Sequence, residues 1–158
     1  MIEANWFLFT FLFIFAGQRA FTIWLERLNS RHSRKHLQRV PRGFEDYIDN
    51  STMIKINEYG LEKSWLGIIE GLVSDGVLLV ILLSGFLPMI VATSDRLGLS
   101  VIPAGLLFFF APGLIQYLVE LPFSYYHTFV LEEKFGFNRS TPRLWITDLI
   151  KSGVLSVA

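Results

Sequence analysis

The sequence predicts an all-α, multipass membrane protein in which three transmembrane helices alternate with two polar segments. Three apolar runs are each long enough, at about 20 residues, to cross a hydrocarbon core about 30 Å thick. Charged residues make up only 18% of the chain, against about 25% in a typical soluble domain. Lysine and arginine are concentrated in the polar segments rather than spread along the chain. These observations exclude a soluble globular domain.

Charge and cysteine content exclude further classes of protein. Fourteen basic residues balance fourteen acidic ones, so the chain lacks the strongly basic face of a nucleic-acid binder. There is no cysteine, which excludes a disulfide, an Fe–S cluster and a thiolate metal site.

The first predicted span covers residues 4–25. A cleaved signal peptide is disfavoured because the segment begins with an acidic residue and its bulky apolar residues continue too far. Trp6 and Trp24 are placed at the two interfaces, where indole rings prefer to lie. Arg19 is near enough to the end of the span for its side chain to reach the headgroups.

The second and third predicted spans cover residues 65–94 and 97–120. Because only Asp95 and Arg96 separate them, we expect a tight antiparallel hairpin. Prolines remove helical hydrogen bonds, so kinks are expected at three positions within the spans: Pro88, Pro103 and Pro112. Residues 153–158 have the composition of the beginning of a fourth apolar run, which suggests that the chain is part of a longer protein.

The distribution of basic residues predicts the orientation of the spans. Residues 26–64 contain eight lysines or arginines and the segment after Glu120 contains four, whereas the hairpin tip has only Arg96. By the positive-inside rule, the polar segments 26–64 and 121–150 face the cytoplasm. The N-terminus is then outside or lumenal, in a bacterial inner membrane or the endoplasmic reticulum.

The first polar segment has a basic helix over residues 26–40, which Pro41 and Gly43 end. Its arginines and lysines are ordinary topology charges that attract anionic lipid headgroups. His32 and His36 have the spacing of two zinc ligands, but two cations stand between them where a metalloprotease has its glutamate, so a metal site is disfavoured. Apolar residues after Gly43 predict one or two amphipathic helices: Phe44, Tyr47, Ile48 and Ile54.

The second polar segment contains clear start and stop signals for helices. Pro122 is suited to begin a helix that continues through Val130, and Gly136 is suited to cap it, with Phe137 supplying the accompanying apolar contact. Thr141 and Pro142 have the pattern of an N-cap followed by a first helical residue. The glutamates before Gly136 are open to two interpretations, a solvated turn or a functional group.

Three acidic residues lie at or inside the span ends: Glu70, Asp75 and Glu120. A charge at the membrane centre costs roughly 2.5–3.5 kcal/mol on insertion scales, so such residues face water, a partner or a functional site. One interpretation places all three at the cytoplasmic interface, where this cost is small. The other has the helix of Glu70 and Asp75 border an aqueous interior.

Several stretches resemble the type 1 CAAX prenyl proteases, which are integral-membrane zinc metalloproteases. The specific match is the run Thr128-Phe-Val-Leu-Glu-Glu-Lys-Phe-Gly-Phe-Asn138, which is similar to that family's TFVIEEKxGFN stretch. The strong match also includes residues 121–124, Thr141 and Asp148, and a weaker one runs through Val40-Pro41, residues 68–85 and the basic helix before them. The resemblance covers most of the chain and corresponds to the family's N-terminal membrane region.

This resemblance implies a zinc endopeptidase whose helices enclose a water-filled chamber and whose substrates are prenylated or membrane proteins. The family holds zinc with HExxH and a further glutamate, but this sequence has no HExxH and only three histidines. No catalytic residue can therefore be assigned, and the segment alone is expected to bind no cofactor and to be inactive. The resemblance gives Glu132, Glu133 and Asn138 a role in bracing helices against the missing C-terminal protease domain.

Two other functions remain open at this stage. A non-enzymatic multipass scaffold would use the glutamate-rich segment to bind a partner protein. A carrier or channel module would use Glu70 and Asp75, although three spans with so few polar residues disfavour it.

Overall fold

A computed structural model describes residues 5–35 and 48–157, with side chains up to residue 153. Every regular element among the described residues is a helix, as the sequence predicts. Six α-helices follow one another along the chain: α1 (Trp6–Lys35), α2 (Asn50–Leu83), α3 (Phe86–Arg96), α4 (Val101–Tyr126), α5 (Glu133–Phe135) and α6 (Pro142–Val157). A single π-helical segment, His127–Glu132, joins α4 to α5.

Helix α1 unites the first predicted span with the basic helix that follows it. The helix runs without interruption from Trp6 to Lys35, so the basic residues continue the same rod that crosses the membrane. The predicted helix end at Pro41 and Gly43 lies outside the described residues, as do Phe44 and Tyr47.

Helix α2 begins at a side-chain cap. Asp49 accepts hydrogen bonds from the Ser51 hydroxyl and from the Thr52 backbone N–H, which satisfies an otherwise unpaired donor of the first turn. These two bonds lower the pKa of Asp49 to about 2. Ile54, predicted to lie on a separate amphipathic helix, belongs to the same 34-residue helix as the second span.

The second span is divided at Ser84 and Gly85. Helix α2 ends at Leu83, Gly85 has a left-handed φ of 84°, and α3 begins at Phe86. A residue with a side chain is strained at this φ, so glycine permits the break. The predicted kinks at Pro88 and Pro103 are wrong, because both prolines lie in the first turn of a helix, where a backbone N–H has no partner to lose.

A tight connection joins α3 to α4, which confirms the predicted hairpin. Gly98 has a φ of 62°, and its N–H donates to the Asp95 carbonyl while the Leu99 N–H donates to the Ser94 carbonyl. This pair of bonds caps the helix end in the manner of a Schellman motif.

The third span continues past its predicted end. Helix α4 passes through Pro112 and Pro122 and leads without a break into the π-helical segment and α5. The predicted helix start at Pro122 is therefore wrong, because this proline lies almost six turns inside a helix that began at Val101.

Within the described residues, three helices are long and apolar enough to cross a membrane: Trp6–Lys35, Asn50–Leu83 and Val101–Phe135. At 1.5 Å per residue, the 34 residues of α2 extend about 51 Å, well beyond a hydrocarbon core of about 30 Å. A substantial part of each rod therefore stands outside the apolar layer. Helix α2 packs against α1, α3 and α4 and is the centre of the fold.

Candidate functional site

The first candidate site is a polar contact between the first two spans. The Arg19 guanidinium on α1 donates through Nε to the Asp75 carboxylate on α2, and through Nη2 to the Gly71 carbonyl at 3.2 Å. The predicted reach of Arg19 toward headgroups is thus wrong, because its charge is neutralised by a neighbouring helix. We call Arg19 and Asp75 the membrane ion pair.

Gly71 makes room for this ion pair. A Cβ atom built on Gly71 would stand 2.5 Å from Arg19 Nη1 and 3.1 Å from Arg19 Cζ. Neighbouring Gly67 and Gly76 have open space at the same position. The glycine at 71 therefore lets the guanidinium lie directly on the backbone of α2.

Polar groups also connect α2 to α4, about one helical turn along α2 from Gly71. Gln116 Nε2 donates to the Ser74 carbonyl at 3.2 Å, while Ser74 Oγ and Gln116 Oε1 are buried without a hydrogen-bond partner among the described residues. Unsatisfied groups of this kind cost about 1–3 kcal/mol each. This polar contact between apolar helices fixes the register of the antiparallel pair.

Glu70 and Glu120 do not join the membrane ion pair. Glu70 lies four residues from Ser74 on α2, and Glu120 lies four residues from Gln116 on α4. Because the two helices are antiparallel, both glutamates lie one helical turn from the Gln116–Ser74 contact, on the same side of it. Glu70 is half-buried and Glu120 is exposed, and neither has an ion-pair partner within the described ranges. Asp75 is the only predicted membrane acid that the structure pairs with a cation within those ranges.

The second candidate site surrounds the π-helical segment. His127 Nδ1 lies 3.4 Å from Glu132 Oε1, and its Nε2 lies 3.4 Å from the Tyr59 hydroxyl of α2. The imidazole therefore links a carboxylate on its own segment to a phenol on another helix. We call the following residues the π-helix cluster: Tyr59, His127, Glu132, Phe135 and Phe137.

Aromatic packing holds the π-helix cluster together. The Tyr59 ring meets the Phe137 ring edge-on at a centroid distance of 5.1 Å and the Phe135 ring at 5.7 Å. Phe135 and Leu131 are buried, in a chain where few side chains are. Edge-to-face aromatic pairs contribute about 0.5–1.5 kcal/mol each beyond the area they bury. The cluster is thus a small core between α2 and the end of α4.

Glycine at 136 ends the rod as the sequence predicts. Gly136 has a φ of 68°, its N–H donates to the Glu133 carbonyl, and the Phe137 N–H donates to the Glu132 carbonyl at 2.8 Å. These are the two bonds of a Schellman motif, and Phe137 makes the predicted apolar contact. The turn places Phe137 against Tyr59.

The remaining residues of the glutamate-rich segment fix the loop and its neighbours. Asn138 donates to the Glu133 carboxylate at 3.0 Å and accepts from the Ser140 N–H at 2.7 Å. Lys134 forms an ion pair with Glu62 of α2. The two neighbouring glutamates thus differ: Glu132 faces the cluster, whereas Glu133 belongs to the turn.

Helix α6 returns toward α4 after the turn. Thr141 caps it, accepting at Oγ1 from the Leu144 N–H at 3.2 Å, as predicted for an N-cap before Pro142. Trp145 Nε1 then donates to Ser124 Oγ at 3.2 Å, and its ring meets Tyr125 edge-on.

The residues of this site do not fit a zinc ion. Catalytic zinc sites need three protein ligands, and no group of three or more histidine, cysteine, aspartate or glutamate side chains gathers within the described ranges. In the π-helix cluster, one imidazole and one carboxylate meet a phenol instead of a third ligand. Its chemistry is that of a hydrogen-bonded structural link.

Several members of these sites were not predicted from the sequence: Arg19 as an ion-pair partner, the Ser74–Gln116 contact, Tyr59, His127 and Phe135. The ion pair of Arg19 could have been predicted, because a lone cation lies inside one span and an acid lies inside the next. Nothing local marks Tyr59, which is 68 residues from its histidine partner.

Comparisons with known proteins agree with this architecture. A family model described as the CAAX prenyl protease N-terminal region, with five membrane helices, matches residues 29–158. CAAX prenyl protease 1 of Saccharomyces cerevisiae is 36% identical over 130 residues, covering 76% of this chain and 29% of that protein. The mouse CAAX prenyl protease 1 homolog is 34% identical over 143 residues, covering 85% of this chain and 30% of that protein.

A solved structure shows the same fold. The crystal structure of S. mikatae Ste24p matches with a TM-score of 0.66 and 34% identity, over 87% of this chain and 34% of that one. The chain thus spans about a third of the relatives' length. With a family model covering most of its residues and a similar fold in a solved relative, the chain belongs to the CAAX prenyl protease family, in whose N-terminal membrane region its matched residues lie.

Proposed function

We propose that this chain forms the N-terminal membrane region of a zinc metalloendopeptidase that acts on the C-terminal part of prenylated proteins or in membrane-protein quality control. Its family membership supports this activity, and the observation that carries the chain's own role is the π-helix cluster. That cluster joins two long helices outside the apolar layer and ends in a fixed turn. The proposed role is to position polypeptide that carries the catalytic groups.

The side chains of this chain have a structural part in the proposed enzyme, because they do not form a set of zinc ligands within the described residues. Zinc in a complete enzyme of this kind would supply Lewis-acid chemistry at the scissile bond, and the proposal gives the residues of this chain no part in holding it. Tyr59, His127 and Glu132 hold α2 against the end of α4. Glu133 and Asn138 fix the turn that directs α6 back toward Ser124. In this proposal they brace the protease domain and do not contact the scissile bond.

A chimera tests the proposed function. The matched N-terminal region of the Saccharomyces relative is replaced by this chain, and the purified membrane protein is assayed for zinc content and for cleavage of a farnesylated peptide. We expect zinc binding and cleavage. A chimera that inserts and binds zinc but does not cleave would support the non-enzymatic scaffold instead.

A pair of variants in the same chimera tests the role of the π-helix cluster. Glu132→Gln removes the carboxylate charge beside His127, whereas Glu58→Gln removes an exposed charge on α2 that has no ion-pair partner within the described residues. We expect the first to lower cleavage and the second to leave it unchanged. Equal activities would remove the bracing role from Glu132.

We further propose that the polar ends of the three spans face the cytoplasm, with the hairpin tip on the opposite side. The chain contains no cysteine, so single cysteines can report sidedness cleanly. Ser94 is buried against the Ile90 carbonyl, whereas Leu97 at the hairpin tip is 66% exposed. Cysteines at Leu97 and Arg139 should therefore react with an impermeant reagent from opposite sides, and labelling from the same side would overturn the orientation.

A further inference from the structure

A groove with an unusual combination of charge and apolar surface lies between α1 and α2. Its volume is about 630 Å³, and it is lined by aromatic and aliphatic side chains together with three arginines: Trp24, Leu28, Leu61, Trp65, Ile68, Arg27, Arg31 and Arg34. The arginines follow one face of α1 at intervals of four and three residues, so their guanidinium groups line the same edge.

Three positive charges meet in this groove without a negative one. None of the three arginines has a hydrogen-bond or ion-pair partner within the described parts of the chain, and no acidic residue lines the groove. A second groove on the other side of the same helix pair offers a contrast. There Arg19 and Lys63 are accompanied by Glu26, whose carboxylate accepts from the Ser64 hydroxyl. Because Arg19 is also paired with Asp75, the two cations of the second groove are matched by two carboxylates, and the charge without a counter-ion lies in the first groove.

The groove lies where a membrane has its headgroups. Residues 6–25 of α1 extend about 30 Å and suffice to cross the hydrocarbon core, so the three arginines lie just beyond it. Trp24 and Trp65 are more than half exposed, and such rings settle at the level of the headgroups. Leu61 and Ile68 continue the groove as an apolar surface along α2.

We propose that this groove is a binding site for an anionic phospholipid. Guanidinium groups bind phosphate oxygens bidentately, which a compact ammonium group cannot do. The Arg27, Arg31 and Arg34 side chains bind the negatively charged headgroup through its phosphate, while the acyl chains lie along the tryptophans and aliphatic residues. The lipid is taken from the membrane itself, and binding is independent of the proteolytic function proposed above.

Tryptophan quenching tests the assignment. The chain is placed in bilayers of phosphatidylcholine that contain a small fraction of brominated phosphatidylglycerol or, for comparison, brominated phosphatidylcholine. We expect the anionic quencher to act more strongly, because it is concentrated beside Trp24 and Trp65. The variant Trp24→Phe/Trp65→Phe should lose this difference, since the two other tryptophans lie elsewhere.

Two sets of arginine substitutions provide the matched comparison. The variant Arg27→Gln/Arg31→Gln/Arg34→Gln should lose the preference for the anionic lipid, by roughly fivefold for each arginine removed. The control Arg96→Gln/Arg139→Gln/Arg143→Gln removes the same charge from exposed positions outside the groove and should retain it. Circular dichroism verifies that both variants keep their helices.

Three results would overturn the proposal. Equal quenching by the two brominated lipids in the unaltered chain would mean ordinary lipid contact. A preference that survives in the groove variant would place the anionic lipid elsewhere. Inorganic phosphate that abolishes the preference, when chloride at the same ionic strength does not, would identify a free phosphate site. Native mass spectrometry provides a second readout, with one bound phosphatidylglycerol expected on the unaltered chain and none on the groove variant.

Discussion

Arg19 donates to both the Asp75 carboxylate and the Gly71 carbonyl, so one side chain of α1 contacts two successive turns of α2. In a membrane, helices gain little from apolar contact with each other, because lipid tails are as apolar as leucine. Polar contacts and close packing then decide which helices associate. The membrane ion pair is therefore a contact that can specify the association of the first two spans.

Breaking this pair should weaken the association of α1 with α2. Asp75→Asn leaves the Arg19 charge without its counter-ion, and we expect a loss of roughly 1–2 kcal/mol in the free energy of unfolding. The double variant Arg19→Met/Asp75→Leu should recover much of this loss, because no uncompensated charge remains. Unfolding in mixed micelles with increasing dodecyl sulfate compares these proteins with the single variants Arg19→Met and Asp75→Leu. If the effects of these two single variants add up to the effect of the double variant, the side chains do not interact.

Glycine at position 71 should be selectively sensitive to substitution. Gly71→Ala would place a methyl group against the Arg19 guanidinium, which must move away from the Gly71 carbonyl. Gly67→Ala and Gly76→Ala meet open space and gain helix propensity of about 1 kcal/mol. We expect the alanine at 71 to be the least stable of the three in the same unfolding measurement. If all three are equally stable, the close approach of Arg19 has no energetic value.

The two parts of the Tyr59 side chain should make different contributions. Tyr59→Ala removes the ring that meets Phe135 and Phe137, and truncation of a buried aromatic costs about 3–5 kcal/mol. Since Tyr59 is only half-buried, we expect the lower end of this range. Tyr59→Phe keeps the ring and loses only the hydroxyl near His127, with an expected cost below about 1 kcal/mol. Thermal unfolding followed by circular dichroism compares them, and a phenylalanine variant as unstable as the alanine one would contradict this order.

Acid should loosen the start of α2. Asp49 has a pKa of about 2 in the folded protein, below its ordinary value of 3.8, because the Ser51 hydroxyl and Thr52 N–H bind the charged carboxylate. The folded state thus binds this proton less readily than the unfolded state. The contribution is fully present above pH 3.8 and is lost as the pH falls toward 2. We expect the Thr52 amide resonance to titrate with a midpoint near 2, and not at all in Asp49→Ala; a midpoint near 4 would contradict the cap.

Local chemistry made much of this fold predictable. Apolar run length gave three membrane helices, and the combination of Gly136 with Phe137, or of Thr141 with Pro142, marked helix ends because each acts on its immediate neighbours. Proline was a poorer guide. The residues immediately around Pro122 are compatible with a helix start and with the interior of a helix. Only the apolar turns of α4 that precede Pro122 show that the helix has already begun.

Long-range pairings were much less accessible from sequence. Glu70, Asp75 and Glu120 look alike as acids near span ends, yet only Asp75 faces a cation from another helix within the described residues. Which face of a helix meets its neighbour depends on rotation about its axis, and an almost uniformly apolar helix contains little information about that angle. The π-helical segment was equally hidden, because one additional residue per turn leaves no mark in composition.

The unbroken rod from Val101 to Phe135 has a mechanical consequence. With 35 residues it is about 50 Å long, so a tilt of about 5° at one end displaces the other by about 4 Å. The helix continues through Pro112, Pro122 and the π-helical segment to Phe135, whose ring meets the Tyr59 ring on a second rod. A displacement of the rod at the far membrane surface would thus be transmitted along it to Tyr59.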